Sequence, residues 1–178
     1  TEIYTLSLHD ARPISIYLTN MQPQWQKHNG GLWKNLEDLV RNCATDDTKT
    51  DAHCDTLYIV KAATITDKVT INDAEVDGIY ADRCVGGEGH ENELIVPKFF
   101  YMALLHYNKA TDTYHAIAFW TLHQDESDTN KNYGDYAISI DELEKRTGID
   151  FFCNLPDVVE KEVEAEVDLD FWNIQQTP

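Results

Sequence analysis

Two apolar runs separated by a polar break restrict the fold of this chain more than any other feature. Val96 to Tyr107 is strongly apolar and aromatic, and Tyr114 to His123 is rich in β-favouring residues. Asn108 to Thr113 between them is polar, as the turn of a hairpin requires. The runs therefore predict an antiparallel pair. Thr56 to Thr66 is a third β-rich run, expected as the central strand, and Lys68 to Ile79 is expected to hold a short strand or hairpin. Apolar residues at 32, 33, 36, 39, 40 and 43 mark one helical face, which predicts a helix over Leu32 to Cys43. Ser139 with Glu142 forms a capping box, opening a helix that should stop at Gly148. A further, acidic helix is expected from about Pro156 to Val167, and Phe171 and Trp172 should dock on the body. The fold class is α+β: a mostly antiparallel sheet with one helix against it and further helices at the C-terminus.

The 178 residues suffice for one domain or most of one, and 42% of them are hydrophobic, enough for a sizeable core. No run approaches the ~18 apolar residues of a membrane span, and no secretory signal is visible at the start. A net charge of −18 reads as a solvated exterior and counts against a long electrostatic track for a polyanion, though not against a local basic cleft. Cys43, Cys54, Cys84 and Cys153 form no Cys-x-x-Cys pair, which argues against a zinc site. They are compatible with two disulfides, in any of three pairings, or with buried thiols.

Chemistry-bearing residues concentrate in Asn20-Met21-Gln22-Pro23-Gln24 and in the stretch from Asn29-Gly30-Gly31-Leu32-Trp33 to Arg41. Ile16 to Asn20 is expected as a core strand running into a polar loop. Asn29 is a good N-cap for the helix that follows. Glu37 and Arg41 sit one turn apart on its flank. An amide at a helix start, beside a carboxylate and a guanidinium, can hold a hard cation and a phosphate. Each residue also has a plainer use: Asn29 as a cap, Asn20 as a turn former, Glu37 and Arg41 as a surface ion pair. Gln22, Gln24 and Trp33 read as loop and packing residues. His28, His53, His90, His106, His115 and His123 have no ligand-like spacing, and His106 and His115 read as ordinary sheet residues. Glu160 to Glu166 reads as a solvated helix face, as do the loop charges Asp125, Glu126 and Asp128.

The ordered set Asn-Met-x-Pro-Gln, Asn-Gly-Gly-x-Trp-x-x-Leu-Glu, Leu57-Tyr58-Ile59-Val60-Lys61, Val96-Pro97-Lys98-Phe99-Phe100-Tyr101, Tyr136-Ala137-Ile138-Ser139-Ile140-Asp141-Glu142-Leu143-Glu144 and Thr147-Gly148-Ile149-Asp150-Phe151-Phe152-Cys153-Asn154-Leu155-Pro156 resembles the DNA/RNA non-specific endonucleases of the ββα-metal (His-Me finger) class. It covers roughly residues 16 to 173. The resemblance implies a ββα-metal active-site helix and hydrolysis of DNA and RNA with Mg²⁺ or another divalent cation such as Mn²⁺. It makes Asn29 the metal ligand. It has Glu37 accept a hydrogen bond from a water on that metal, Arg41 contact the substrate phosphate or leaving group, and Asn20 orient the base or the substrate. It also implies an exported protein, periplasmic or extracellular.

The family's general base lies in an Asp-Arg-Gly-His motif upstream of the Asn-x-x-Pro-Gln loop, which by the family's spacing would fall just before Thr1. Residues 1–15 resemble translated sequencing adapter, so they are expected to be a non-native or disordered tail, with the endonuclease domain over 16–178. His9 lies too close to Asn20 and has Leu-His-Asp neighbours, so it does not stand in for the base. The chain as given is expected to be nearly inactive. The alternative is a non-catalytic secreted domain that keeps the nuclease fold.

Overall fold

The computed structural model describes residues 4–5, 22–45, 56–80, 95–128, 130 and 132–177. Among these, one five-stranded sheet is built from β1 (Tyr4–Thr5), β2 (Thr56–Ala63), β5 (Phe99–Asn108), β6 (Thr113–Leu122) and β7 (Ala137–Ile138), in the order β1-β2-β5-β6-β7. Every pairing in it is antiparallel. A separate hairpin joins β3 (Lys68–Ile71) to β4 (Ala74–Asp77), turning through Asn72 and Asp73 at φ 51° and 60°. Two successive left-handed residues are what a tight two-residue turn needs, and Asn and Asp tolerate them best.

The hairpin of β5 and β6 forms as its pattern predicts, with Phe99 opposite Leu122 and Asn108 opposite Thr113. The Asn108 side chain closes the turn by accepting from the N–H groups of Ala110 and Thr111. The central position corrects one expectation. The middle strand is β5, not the Thr56 run, because β5 pairs along its length with both β2 and β6. Residues alternate between faces of a strand, so a strand flanked and covered on both sides is apolar throughout.

Helices cover both faces. On one, Leu32, Trp33, Leu36 and Val40 of the helical segment ending in α2 (Lys34–Thr45) pack on Leu57, Ile59, Phe100, Met102, Leu104, Ile117 and Phe119. Trp172 and Ile174 of the C-terminal segment join them, as expected of its aromatic residues. On the other face, Ile140 and Leu143 of α3 (Ile140–Thr147) and Phe151 lie on Tyr101, Ala103, Leu105, Ala118 and Trp120. The second C-terminal helix is α4 (Asp157–Ala165). Ser139 accepts from the Glu142 N–H and starts α3, while Gly148 ends it at φ 69°. Glu142 does not complete the capping box; its side chain pairs with Arg146 at 2.8 Å. No helix among the described residues is long and apolar enough to cross a membrane.

The expected strand Ile16 to Asn20, most of the loop Ala44 to Asp55, and Cys54, Cys84, His9, His53 and His90 lie outside the described residues. Within the expected tail, Tyr4 and Thr5 pair with Ile59 and Tyr58.

Candidate active site

The Asn29 segment departs from the simple capped helix. A single turn, α1 (Gln26–His28), comes first, then a wide π-type turn over Asn29–Trp33, whose helical dihedrals are interrupted at Gly31. Asn29 itself is helical, at φ −61° and ψ −51°, and its N–H donates to the Trp25 carbonyl at 2.8 Å. It is therefore not the N-cap of α2, because a cap residue needs extended dihedrals. Its side chain is exposed and makes no hydrogen bond with the described residues.

What holds this turn in place is a pair of buried histidines. The Trp25 N–H donates to His123 Nε2 at 2.7 Å, and His123 Nδ1 faces the Pro97 carbonyl at 2.7 Å. Since Nε2 accepts, the proton sits on Nδ1, and His123 is the neutral Nδ1–H tautomer. His28 follows the same logic in reverse. Gln24 Nε2 donates to His28 Nδ1 at 2.7 Å, leaving Nε2–H to donate to Thr121 Oγ1 at 3.2 Å. The Thr121 hydroxyl donates in turn to the Phe100 carbonyl at 3.1 Å. The two imidazoles meet edge to face at 5.2 Å, and His28 also packs on Trp33 and Phe100.

Burial drives the His28 pKa down to about 4; the neighbouring His123 adds to this, and Asp128 opposes it. Burial likewise lowers His123, against the hydrogen bond to Pro97. Both rings are therefore neutral and structural at neutral pH. Asn29 thus sits on a turn pinned to the end of β6, with Lys27 adding a bond to the Asp125 carbonyl at 3.1 Å.

On α2, Glu37 and Arg41 lie one turn apart, but they do not pair with each other. Glu37 faces the sheet and takes Lys61 of β2 at 2.9 Å. Arg41 takes Asp38 at 2.5 Å, and Asp38 also takes Lys34 at 2.7 Å, which holds the Asp38 carboxyl below its usual range. Helical spacing would let Arg41 reach either Glu37 or Asp38; Glu37 is engaged by Lys61 of the neighbouring strand, and Asp38 takes both Arg41 and Lys34. Lys27, Lys34, Arg41 and Lys61 bring four cations to this face, each of them paired with Asp125, Asp38 or Glu37.

Asn29, Glu37 and Arg41 are thus carried by one continuous segment, whereas Asn20 lies outside the described residues. Sequence reasoning missed the positioning group His28, His123, Gln24 and Thr121. Its only local signal is that His28 directly precedes Asn29 and His123 directly follows β6. The residues present fit a divalent cation: an exposed amide with no hydrogen bond to the described residues offers a hard oxygen, and Mg²⁺ takes few protein ligands and keeps its waters.

A family model described as DNA/RNA non-specific endonuclease matches residues 8–158. The chain belongs to the DNA/RNA non-specific endonuclease family. Its fold resembles a chain of the solved EndoG/EndoGI complex, a structure described as showing the mechanism of EndoG inhibition, with a TM-score of 0.60 and 21% sequence identity. That likeness covers 80% of this chain and 52% of the other, so the chain spans about half the length of the structure it matches. No curated protein matched. The endonuclease match takes in the Asn29 segment, both sheet hairpins and α3, and it stops within the first turn of α4.

Proposed function

We propose that this endonuclease-family chain hydrolyses phosphodiester bonds of DNA and RNA with little sequence preference, using Mg²⁺ or Mn²⁺ held by Asn29. The observation that carries the proposal is the Asn29 amide: exposed, without a hydrogen bond to the described residues, and mounted on a turn locked to the sheet by His28 and His123. Such a cation, when bound, supplies positive charge to neutralise the leaving oxygen. The chain's own residues do the rest. Glu37, oriented by its contact with Lys61, would accept a hydrogen bond from a water on that cation. Arg41 offers a planar fork suited to a phosphate and exchanges Asp38 for substrate. Asn20 orients the base or substrate. We take the protein to be exported, in keeping with its acidic exterior.

The 178 residues contain no Arg-Gly-His string, so the chain by itself is expected to cleave slowly, for want of a general base. The test is plasmid nicking with and without Mg²⁺, joined to calorimetric Mg²⁺ titration. Weak, metal-dependent nicking that added imidazole accelerates, with both nicking and Mg²⁺ heat lost in Asn29→Ala, supports the reading. Mg²⁺ binding unchanged by Asn29→Ala refutes the ligand assignment. Fast cleavage abolished by His9→Ala refutes the account of the base.

A further inference from the structure

Across the sheet from Asn29, α3 and α4 bring three carboxylates together. Asp141 and Glu144 lie three residues apart on α3, one above the other on its surface. Glu164 reaches them from α4. One oxygen from each lies within 4.8 Å of the other two. The expectation that Glu160 to Glu166 is a solvated face fails at Glu164, which is only 4% exposed. One of its oxygens, Oε1, is buried with no hydrogen-bond partner.

A buried carboxylate without a partner is costly, and like charges beside it raise the cost. No cation forms an ion pair with Glu164 among the described residues. The leading charge effects on it come from Glu144, Glu160, Asp141 and Asp150, all carboxylates. Of the nearby bases, Arg146 is committed to Glu142 at 2.8 Å and lies over the Trp120 ring at 5.2 Å. Glu144 uses one oxygen to accept the Phe151 N–H at 2.7 Å, which leaves its other oxygen for a ligand.

We propose that Asp141, Glu144 and Glu164 form a Ca²⁺-type binding site that clamps α4 to α3, separate from the nuclease site. All three donors are hard carboxylate oxygens. Their mutual spacing, within 4.8 Å, is one that an ion with metal–oxygen distances of about 2.3–2.6 Å can bridge. Water fills the remaining positions, because Asp141 is exposed. Three carboxylates without a dedicated loop suggest an affinity of roughly 10⁻⁴–10⁻³ M, the range of extracellular calcium modules. Asp141 and Glu144 lie inside the region matched by the family model, whereas Glu164 lies beyond its end.

The rival explanation for the cluster is a trapped proton on Glu164, whose carboxyl is pushed up to about 8 by burial and by Glu144. Calorimetric Ca²⁺ titration at pH 7.5 separates the two, performed in the Asn29→Ala background so that the nuclease site contributes nothing. The proposal expects one site, weakened at least about tenfold by Glu164→Gln, which imitates the protonated acid, and by Asp141→Asn at an exposed position. It also expects Ca²⁺ to raise the melting temperature of the Asn29→Ala protein but not of its Glu164→Gln derivative. No Ca²⁺ heat up to about 10 mM, well above the expected affinity, or binding indifferent to both substitutions, overturns it in favour of the proton.

Discussion

Acidification should loosen the Asn29 turn through His28, by an amount the structure sets. In the unfolded chain His28 takes up a proton near the ordinary histidine value of 6.5; in the folded chain it resists until about 4. Between those values the unfolded state binds more protons, so stability falls as pH falls. The contribution is fully present above about pH 6.5 and gone below about pH 4. Each unit is worth about 1.4 kcal/mol, so the loss between pH 7 and pH 5 is about 2 kcal/mol, with a ceiling near 3. The physical cause is burial: His28 is 3% exposed, with aromatic rings around it, and the Gln24 and Thr121 contacts suit a neutral ring. The assay is urea unfolding followed by tryptophan fluorescence from pH 7.5 to pH 5, comparing wild type with His28→Phe, which keeps an aromatic ring and removes the titrating nitrogens. Carboxylates and His123 titrate in both proteins, so the difference between the two stability curves isolates His28. That difference should shift by about 2 kcal/mol against the wild type on going from pH 7 to pH 5. A difference flat to within about 0.5 kcal/mol, the usual limit of additivity, would refute the reasoning.

Two stability predictions test how the site is supported. Leu36 is fully buried where α2 meets the sheet, so Leu36→Ala should cost about 3–5 kcal/mol in denaturant unfolding and lower cleavage only in proportion to the folded fraction. Gly148 ends α3 at φ 69° with nothing near an added Cβ, so Gly148→Ala should cost about 1–2 kcal/mol from backbone conformation alone.

Elements whose signals are local were legible without coordinates. The stop at Gly148 needs only a residue free to adopt the left-handed conformation, and the start at Ser139 needs only a hydroxyl that reaches the Glu142 N–H. The β5–β6 hairpin announces itself by two runs and a polar turn. The Asn29 segment was legible as a motif but not as a shape: nothing in Asn-Gly-Gly discloses a wide turn with a break at Gly31 in place of a capped start. Glu37 and Arg41 do lie one turn apart, yet the ion pair expected between them is not formed, because Lys61, from a strand 24 residues away, takes Glu37 and leaves Arg41 to Asp38. Asp128 was read as solvated, but it is half-buried and accepts from the Tyr136 hydroxyl.

Taken alone, the sequence determined the kind of elements, their limits to within a few residues, the family, and which amide, acid and base to suspect. Those depend on interactions within about four residues along the chain or on patterns of apolar period. Only the tertiary structure decided that β5 is central, that His28 and His123 meet across 95 positions to hold the Asn29 turn, and that Glu164 is driven under cover beside Asp141 and Glu144. Register and helix placement bring such residues together. The energy of a buried histidine or carboxylate depends on which groups surround it, and no stretch of chain carries that information by itself.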